Sequence, residues 1–327
     1  MHRPDRERGA ALLTVLMLVA VIAVMAGAAL ERLRLTTRLA ANAAAGEQAR
    51  AYAQAAETLA TSRITDLLSR SPSRVTLAGD WSGKPFGLPL PGGVALARVT
   101  DGGNCFNLNG LVTRSGPGIY SSTGSNPARL EFARLMRLLN VPAQIADGIA
   151  ASTADWIDTD QDQQAGGAED SVYLARETPY RTGGTLMADP SELRAVQGVT
   201  PTIYATLKPW ICTLPNAKLA TLNINTLTPE QAPLIAMLFP DNLSVGAARS
   251  MILRRPPQGF GDTTTFFNLA SASSSTGQDT SQAAVTSQWF ALRIDVTLGS
   301  TQLQERALID ASRLPARLVA RQWGDET

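Results

Sequence analysis

At ~150 residues per domain, the 327-residue sequence accommodates about two domains. Its 44% hydrophobic content supplies a buried core and excludes wholesale disorder. A net charge of +1 gives no electrostatic footprint for nucleic acid. The single histidine is His2, and the only lysines are Lys84, Lys208 and Lys218. If the first residues are removed, histidine bases, Ser-His-Asp triads and His-ligated zinc disappear together. Cys105 and Cys212 are too far apart for a CxxC redox motif or a thiolate zinc cluster. Catalysis is left only carboxylates, tyrosines and unassisted serines, so a non-enzymatic protein is expected.

Residues 1–9 form a polar leader carrying Arg3, Arg6 and Arg8, and no residue from Ala10 to Leu30 is charged. As a helix that run covers ~31 Å, the thickness of a bilayer's hydrocarbon core. Three readings compete. A Sec signal peptide, cut near Ala26-Gly27-Ala28, would have a shorter apolar run of ~7–15 residues. The others are an uncut anchor and a pilin-like leader cut on the carboxyl side of Gly9. No proline occurs between Pro4 and Pro72, and alanine, the best helix former, dominates the stretch after the apolar run. Leu33, Thr37, Ala40, Ala44, Leu59, Ile64 and Leu67 recur at roughly helical spacing. One helix over 10–70 is predicted, ~90 Å long, membrane-embedded over 10–30 and amphipathic in its second half. A helix that anchors a subunit and then packs a filament needs this arrangement, which favours cleavage after Gly9.

Ser71 to Gly93 is rich in proline, glycine and serine and reads as loop. Val94–Thr100 and Phe106–Val112 read as strands flanking an Asp101-Gly102-Gly103 turn, and Trp289–Thr297 with Leu303–Ile309 as a hairpin around Gly299-Ser300. A largely helical stretch separates the two groups, which marks an insertion into a small sheet and an α+β protein.

Within that stretch, Asp158, Asp160, Asp162 and Glu169 occupy positions 1, 3, 5 and 12 of an EF-hand-like pattern for a hard cation. Gln163 replaces the usual glycine at position 6, and Asp155 and Asp170 add to the charge. From spacing alone, a solvated acidic turn with flexible Gly166-Gly167 is an equal reading. Cys105 and Cys212, if they face an oxidising compartment, are either a disulfide closing a long loop or two buried thiols. Leu222–Thr226 with Arg249, Arg254, Arg255 and Gly259 is similar to a helix-hairpin-helix DNA-binding unit. Its hairpin, Phe239-Pro240-Asp241-Asn242-Leu243-Ser244, lacks glycine and carries an acid, which favours a protein-contact bundle.

Arg8-Gly9-Ala10-Ala11-Leu12-Leu13-Thr14 resembles a prepilin peptidase site, with Gly9 before the cut and Ala10 as the new, N-methylated terminus. Thr14 stands where most pilins carry glutamate. Phe106-Asn107-Leu108-Asn109, Asp155-Trp156-Ile157-Asp158, Gly167-Ala168-Glu169-Asp170, Ser191-Glu192-Leu193 and Asn223-Ile224-Asn225-Thr226 come after it in order. Together these motifs resemble the GspK family of type II secretion minor pseudopilins. The resemblance implies a type IV pilin-like fold, a long N-terminal helix packed on a small antiparallel sheet, with a large α-helical, SAM-like insertion. Its division would be leader 1–9, helix 10–70, β region 71–118, insertion 119–277 and β region 278–327. It also implies structural calcium held by Asp158, Asp160, Glu169 and Asp170, with Asp162 next. The implied partners are GspI, GspJ, the major pseudopilin GspG, a prepilin peptidase and exported proteins, with no nucleic acid. The implied location is the inner membrane, single-pass, with the C-terminal domain in the periplasm and at the pseudopilus tip after assembly. Thr14 fits a first subunit, which has no neighbour above it to pair a carboxylate that would be costly in lipid. The alternative expectation is a membrane-anchored periplasmic binding protein, uncut after Gly9.

Overall fold

The computed structural model describes residues 5–122, 127–239, 243–270 and 280–324. Helix α1 runs unbroken from Asp5 to Arg70, 66 residues or about 99 Å. Its packed face starts late. Ala49, Ala53, Ala56, Ala60, Ile64 and Leu68 recur every three or four residues and are buried, whereas Leu33, Thr37, Ala40 and Ala44 are exposed. The small alanines bring the helix axis close to the sheet beneath it.

That sheet has five antiparallel strands in chain order: β1 (Pro85–Leu90), β2 (Gly93–Asp101), β3 (Trp289–Leu298), β4 (Thr301–Asp310) and β5 (Arg317–Trp323). Phe290, Leu292, Ile294 and Val296 of β3 alternate inward against the α1 stripe. Gly92 (φ +81°) and Gly299 (φ +56°) supply the left-handed backbone that the β1–β2 and β3–β4 turns require. β1 lies within the stretch expected to be loop. Its Pro85 and Pro89 are tolerated because it is an edge strand.

Everything from residue 102 to 288 is inserted between the neighbouring strands β2 and β3. It contains α2 (Pro127–Leu138), α3 (Ala143–Ile157), α4 (Asp170–Leu174), α5 (Pro201–Leu207), α6 (Ala232–Ala236), α7 (Val245–Leu253) and α8 (Thr263–Phe267). These helices enclose their own core around Phe132, Met136, Ile149, Leu193 and Leu234, separate from the helix–sheet core. Of the strand expected over Phe106–Val112, only Phe106–Asn107 forms, parallel to Ile211–Cys212, and a 3-10 turn follows at Leu108–Leu111. Counted from the last β2–β3 rung, Asp101 with Phe290, the insertion starts before residue 119. The expected boundary at 277 lies outside the described residues.

Four asparagines of the sequence motifs knit the base of the insertion. Asn107, Asn109, Asn223 and Asn225 are fully buried. Asn107 Nδ2 donates to the carbonyls of Asn216 and Lys218, and its Oδ1 accepts from Leu214 N–H. Asn109 does the same with Met187 and Leu214. Asn223 Nδ2 donates to Val75 O just past α1 and to Ser287 Oγ just before β3. Asn225 grips Phe260 through both its amide atoms. A buried amide makes such bonds in pairs, so each asparagine fixes two loop segments at once. Cys105 and Cys212 form a disulfide in the same region, Cα–Cα 5.8 Å, across a sequence separation of 107.

Candidate metal centre and anchoring helix

Helix α3 ends in Asp155-Trp156-Ile157, with Asp158 as its C-cap. The i, i+3 spacing puts Asp155 and Asp158 on one face of its last turn. Glu169, the N-cap of α4, closes the group from the other side of the loop. Oxygens of Asp155, Asp158 and Glu169 all lie within 4.8 Å of one another, and the three residues are at most 2% exposed.

Gly167 makes room for this. A β-carbon there would lie 2.0 Å from Asp155 Oδ2. Gly166, at φ +79°, takes the backbone through the left-handed region just before it.

Three carboxylates without a cation must give up charge. Burial, reinforced by the neighbouring acids, pushes Glu169 up to about 8. Burial raises Asp158 to about 7 against the hydrogen bond from the Ser122 hydroxyl. Asp155 rises to about 6, again through burial, although it accepts the N–H of Gln164. Among the described residues, both oxygens of Glu169 and Oδ1 of Asp158 have no hydrogen-bond donor. Buried oxygens left without donors, in a hard all-carboxylate set, match what a divalent cation such as calcium takes.

The structure therefore distributes the predicted ligands differently. Asp158 and Glu169 come together, and Asp155, which entered the sequence reading only as extra charge, joins them. Asp160 and Asp162 are exposed and outside the cluster, with Asp160 Oδ1 accepting the N–H of Asp162. Asp170 is turned away: it pairs with Arg181 and accepts from the N–H and hydroxyl of Thr182. The EF-hand register began at Asp158 and so passed over Asp155. The helical i, i+3 spacing was the signal that would have found it.

At the other end, the Gly9–Ala10 bond lies inside α1. The helix has an 18-residue window of mean hydropathy 2.7, none of it buried, so it is long and apolar enough to cross a membrane. Thr14 Oγ1 donates to Ala11 O within the helix, so the hydroxyl needs no partner from outside.

Residues 104–216 and 222–287 match the family profile described as type II secretion system (T2SS), protein K. The type II secretion system protein K of Pectobacterium carotovorum subsp. carotovorum is 32% identical over 98% of this chain and 97% of its own. That of Klebsiella pneumoniae is 33% identical with the same coverage. The chain belongs to the type II secretion system protein K family. A chain in the crystal structure of the GspK-GspI-GspJ complex from enterotoxigenic Escherichia coli superposes with a TM-score of 0.71 and 32% identity, covering 86% of this chain and 97% of that one. The family resemblance read from the motifs is thus established, and with it a minor pseudopilin of α+β architecture.

Protein K family membership does not favour the solute-binding or DNA-binding alternatives. Arg255 of the helix-hairpin-helix-like stretch is used internally, donating to the carbonyls of Ile224 and Leu227, and Arg249 pairs with Glu230 at 3.5 Å. The central residues of that hairpin, Pro240 to Asn242, lie outside the described residues.

Proposed function

We propose that this chain heads a type II secretion pseudopilus, assembled with subunits equivalent to GspI and GspJ and continued by a major pseudopilin such as GspG. The observation that carries this is the position of the insertion. Asn223 and Val285 hydrogen-bond to Val75, so the helical unit sits at the end of α1 opposite the apolar run. A body of domain size there obstructs a further subunit stacked above it. In this reading a prepilin peptidase cuts after Gly9 and Ala10 becomes the N-methylated terminus. Residues 10–30 hold the subunit in the inner membrane, and the remainder occupies the periplasm, an oxidising space suited to a disulfide. The role is assembly, with exported proteins as contacts of the head, and no chemistry is assigned to it.

Asp155, Asp158 and Glu169 would hold a structural calcium ion. Bound there, it would neutralise the three carboxylates and pin the end of α3 to the start of α4. Asp160, Asp162 and Asp170 would contribute field around it without being its core ligands.

The deciding experiment is the intact mass of the membrane-extracted protein co-expressed with its prepilin peptidase. Loss of residues 1–9 with one added methyl group is expected. An uncut chain, or one starting near Ala29, would overturn the assignment. For the metal, isothermal titration giving no heat up to ~1 mM calcium would remove it from the reading.

A further inference from the structure

The last two turns of α1 face the 71–86 segment across a cleft of about 640 Å³, one wall of which is the helical stripe Arg63, Asp66, Leu67 and Arg70. Arg74 and Lys84 line it as well. Its only carboxylates are Asp66 and Asp80, and Asp80 is already paired with Lys84 at 2.6 Å. Arg63, Arg70 and Arg74 form no ion pair among the described residues. Four cations, Arg63, Arg70, Arg74 and Lys84, against two aspartates leave the cleft with a surplus of two positive charges, in a chain whose net charge is only +1.

We propose that this cleft is a docking site for an extended acidic polypeptide segment. The aromatic part of the lining is firmly held. Trp81 packs on Phe290 of the sheet core at 5.4 Å and donates its ring N–H to Thr76 O, while the Arg63 guanidinium lies 4.8 Å over the Phe86 ring. Aromatic rings interleaved with guanidinium groups suit a chain that presents both acidic and apolar side chains.

Spacing narrows the class. Arg63 and Arg70 are seven residues apart on the helix, about 10 Å along its axis. A peptide extended as a polyproline II helix has three residues per turn and rises about 3.1 Å per residue, so carboxylates three residues apart lie on one face about 9 Å apart, close to that distance. A single phosphate engages one arginine and leaves this spacing unused. Headgroups of the bilayer crossed by α1 are out of reach, since Leu30 and Arg63 are separated by about 50 Å of helix. The inference is independent of the pseudopilus reading, because the cleft recognises an acidic segment whichever polypeptide supplies it.

The test uses the full-length chain in neutral detergent micelles and a fluorescein-labelled decapeptide of Glu, Val and Ser with glutamate at every third position. A counterpart with lysine replacing glutamate is the control, and anisotropy reads the binding. The acidic peptide should bind at least ten-fold tighter than the lysine peptide, and raising NaCl from 50 to 300 mM should weaken it about ten-fold. Arg63→Glu with Arg70→Glu should abolish the preference while leaving the thermal transition in place. Should the helix variant unfold, Arg74→Glu in the loop must give at least a five-fold loss. Equal affinity for the two peptides, or unchanged binding to the folded variants, would overturn the proposal. So would complete displacement by 10 mM inorganic phosphate, which would make the cleft a general anion site.

Discussion

Glu305 lies fully buried 3.4 Å from Arg321, although that arginine is already committed through two nitrogens, at 2.8 and 2.9 Å, to Glu57 on α1. One cation thus serves two carboxylates from different elements. Burial, together with the hydrogen bond and charge of Glu57, pushes Glu305 up to about 8. The folded state therefore holds this proton to about pH 8, whereas the unfolded chain releases it near 4.5. Stability must fall as pH rises through that window. Glu305→Gln, neutral at every pH, should raise stability by ~2 kcal/mol at pH 9 and change it little at pH 5. Arg321→Met leaves the Glu57 carboxylate without its cation beside the protonated Glu305 and should cost ~3–5 kcal/mol at neutral pH. Urea titrations at the two pH values measure both effects.

Gly167 controls the carboxylate cluster through space alone. Gly167→Ala drives a methyl group into Asp155 and must displace either the loop or the ligand. Calcium affinity should drop at least ~10-fold and metal-free stability by ~1–3 kcal/mol. Asp155→Asn should weaken calcium while stabilising the metal-free protein, because it removes the acid of the cluster that ionises first and is buried beside the other two. Calorimetric titration with paired thermal melts separates the two substitutions.

Calcium bound at this cluster would compete with protons for the same oxygens. With Glu169 near 8, Asp158 near 7 and Asp155 near 6, the metal-free folded state retains protons that the unfolded chain loses near 4–4.5. Its stability should therefore decline steadily from about pH 5 to pH 8 in chelator. Calcium affinity should rise over pH 6–8, with protons released on binding. Titration in buffers of different ionisation enthalpy counts those protons, and a buffer-independent heat would contradict the coupling.

Asn109 bonds Met187 and Leu214 and is inaccessible to water. Asn109→Ala leaves the Met187 N–H and two carbonyls without partners and should cost ~2–4 kcal/mol. The loss should appear in the unfolding of the inserted helices. Hydrogen exchange should show α5 and the Ile211–Cys212 strand opening first, with protection of β3 and β4 retained.

Charge, hydropathy and proline placement were enough to read the long helix, the β3–β4 hairpin and the insertion between separated strands. The misreadings have physical causes. Six edge-strand residues, Pro85 to Leu90, alternate too weakly and carry too much proline to resemble a strand. β5 is almost entirely exposed, so no inward face marks it in the sequence. The stripe under α1 consists mostly of alanine, which hydropathy barely separates from its exposed neighbours. In the acidic loop a linear ligand pattern was applied to residues that a helix brings together. Asp155 and Asp158 meet through helical geometry, while Asp160 and Asp162, at positions 3 and 5 of the pattern, are exposed to solvent. The motif asparagines carried no visible role until their partners, remote in sequence, were in place.

β2 and β3 are adjacent and antiparallel, so the chain leaves the sheet at Asp101 and re-enters it at Phe290, the opposite member of the same rung. A two-residue turn would bridge that gap as well as the whole helical body does. The stalk and its headpiece are consequently separable as inherited parts. The head can be enlarged, trimmed or exchanged at a single doorway without rewriting the strand pairings on which the shaft depends.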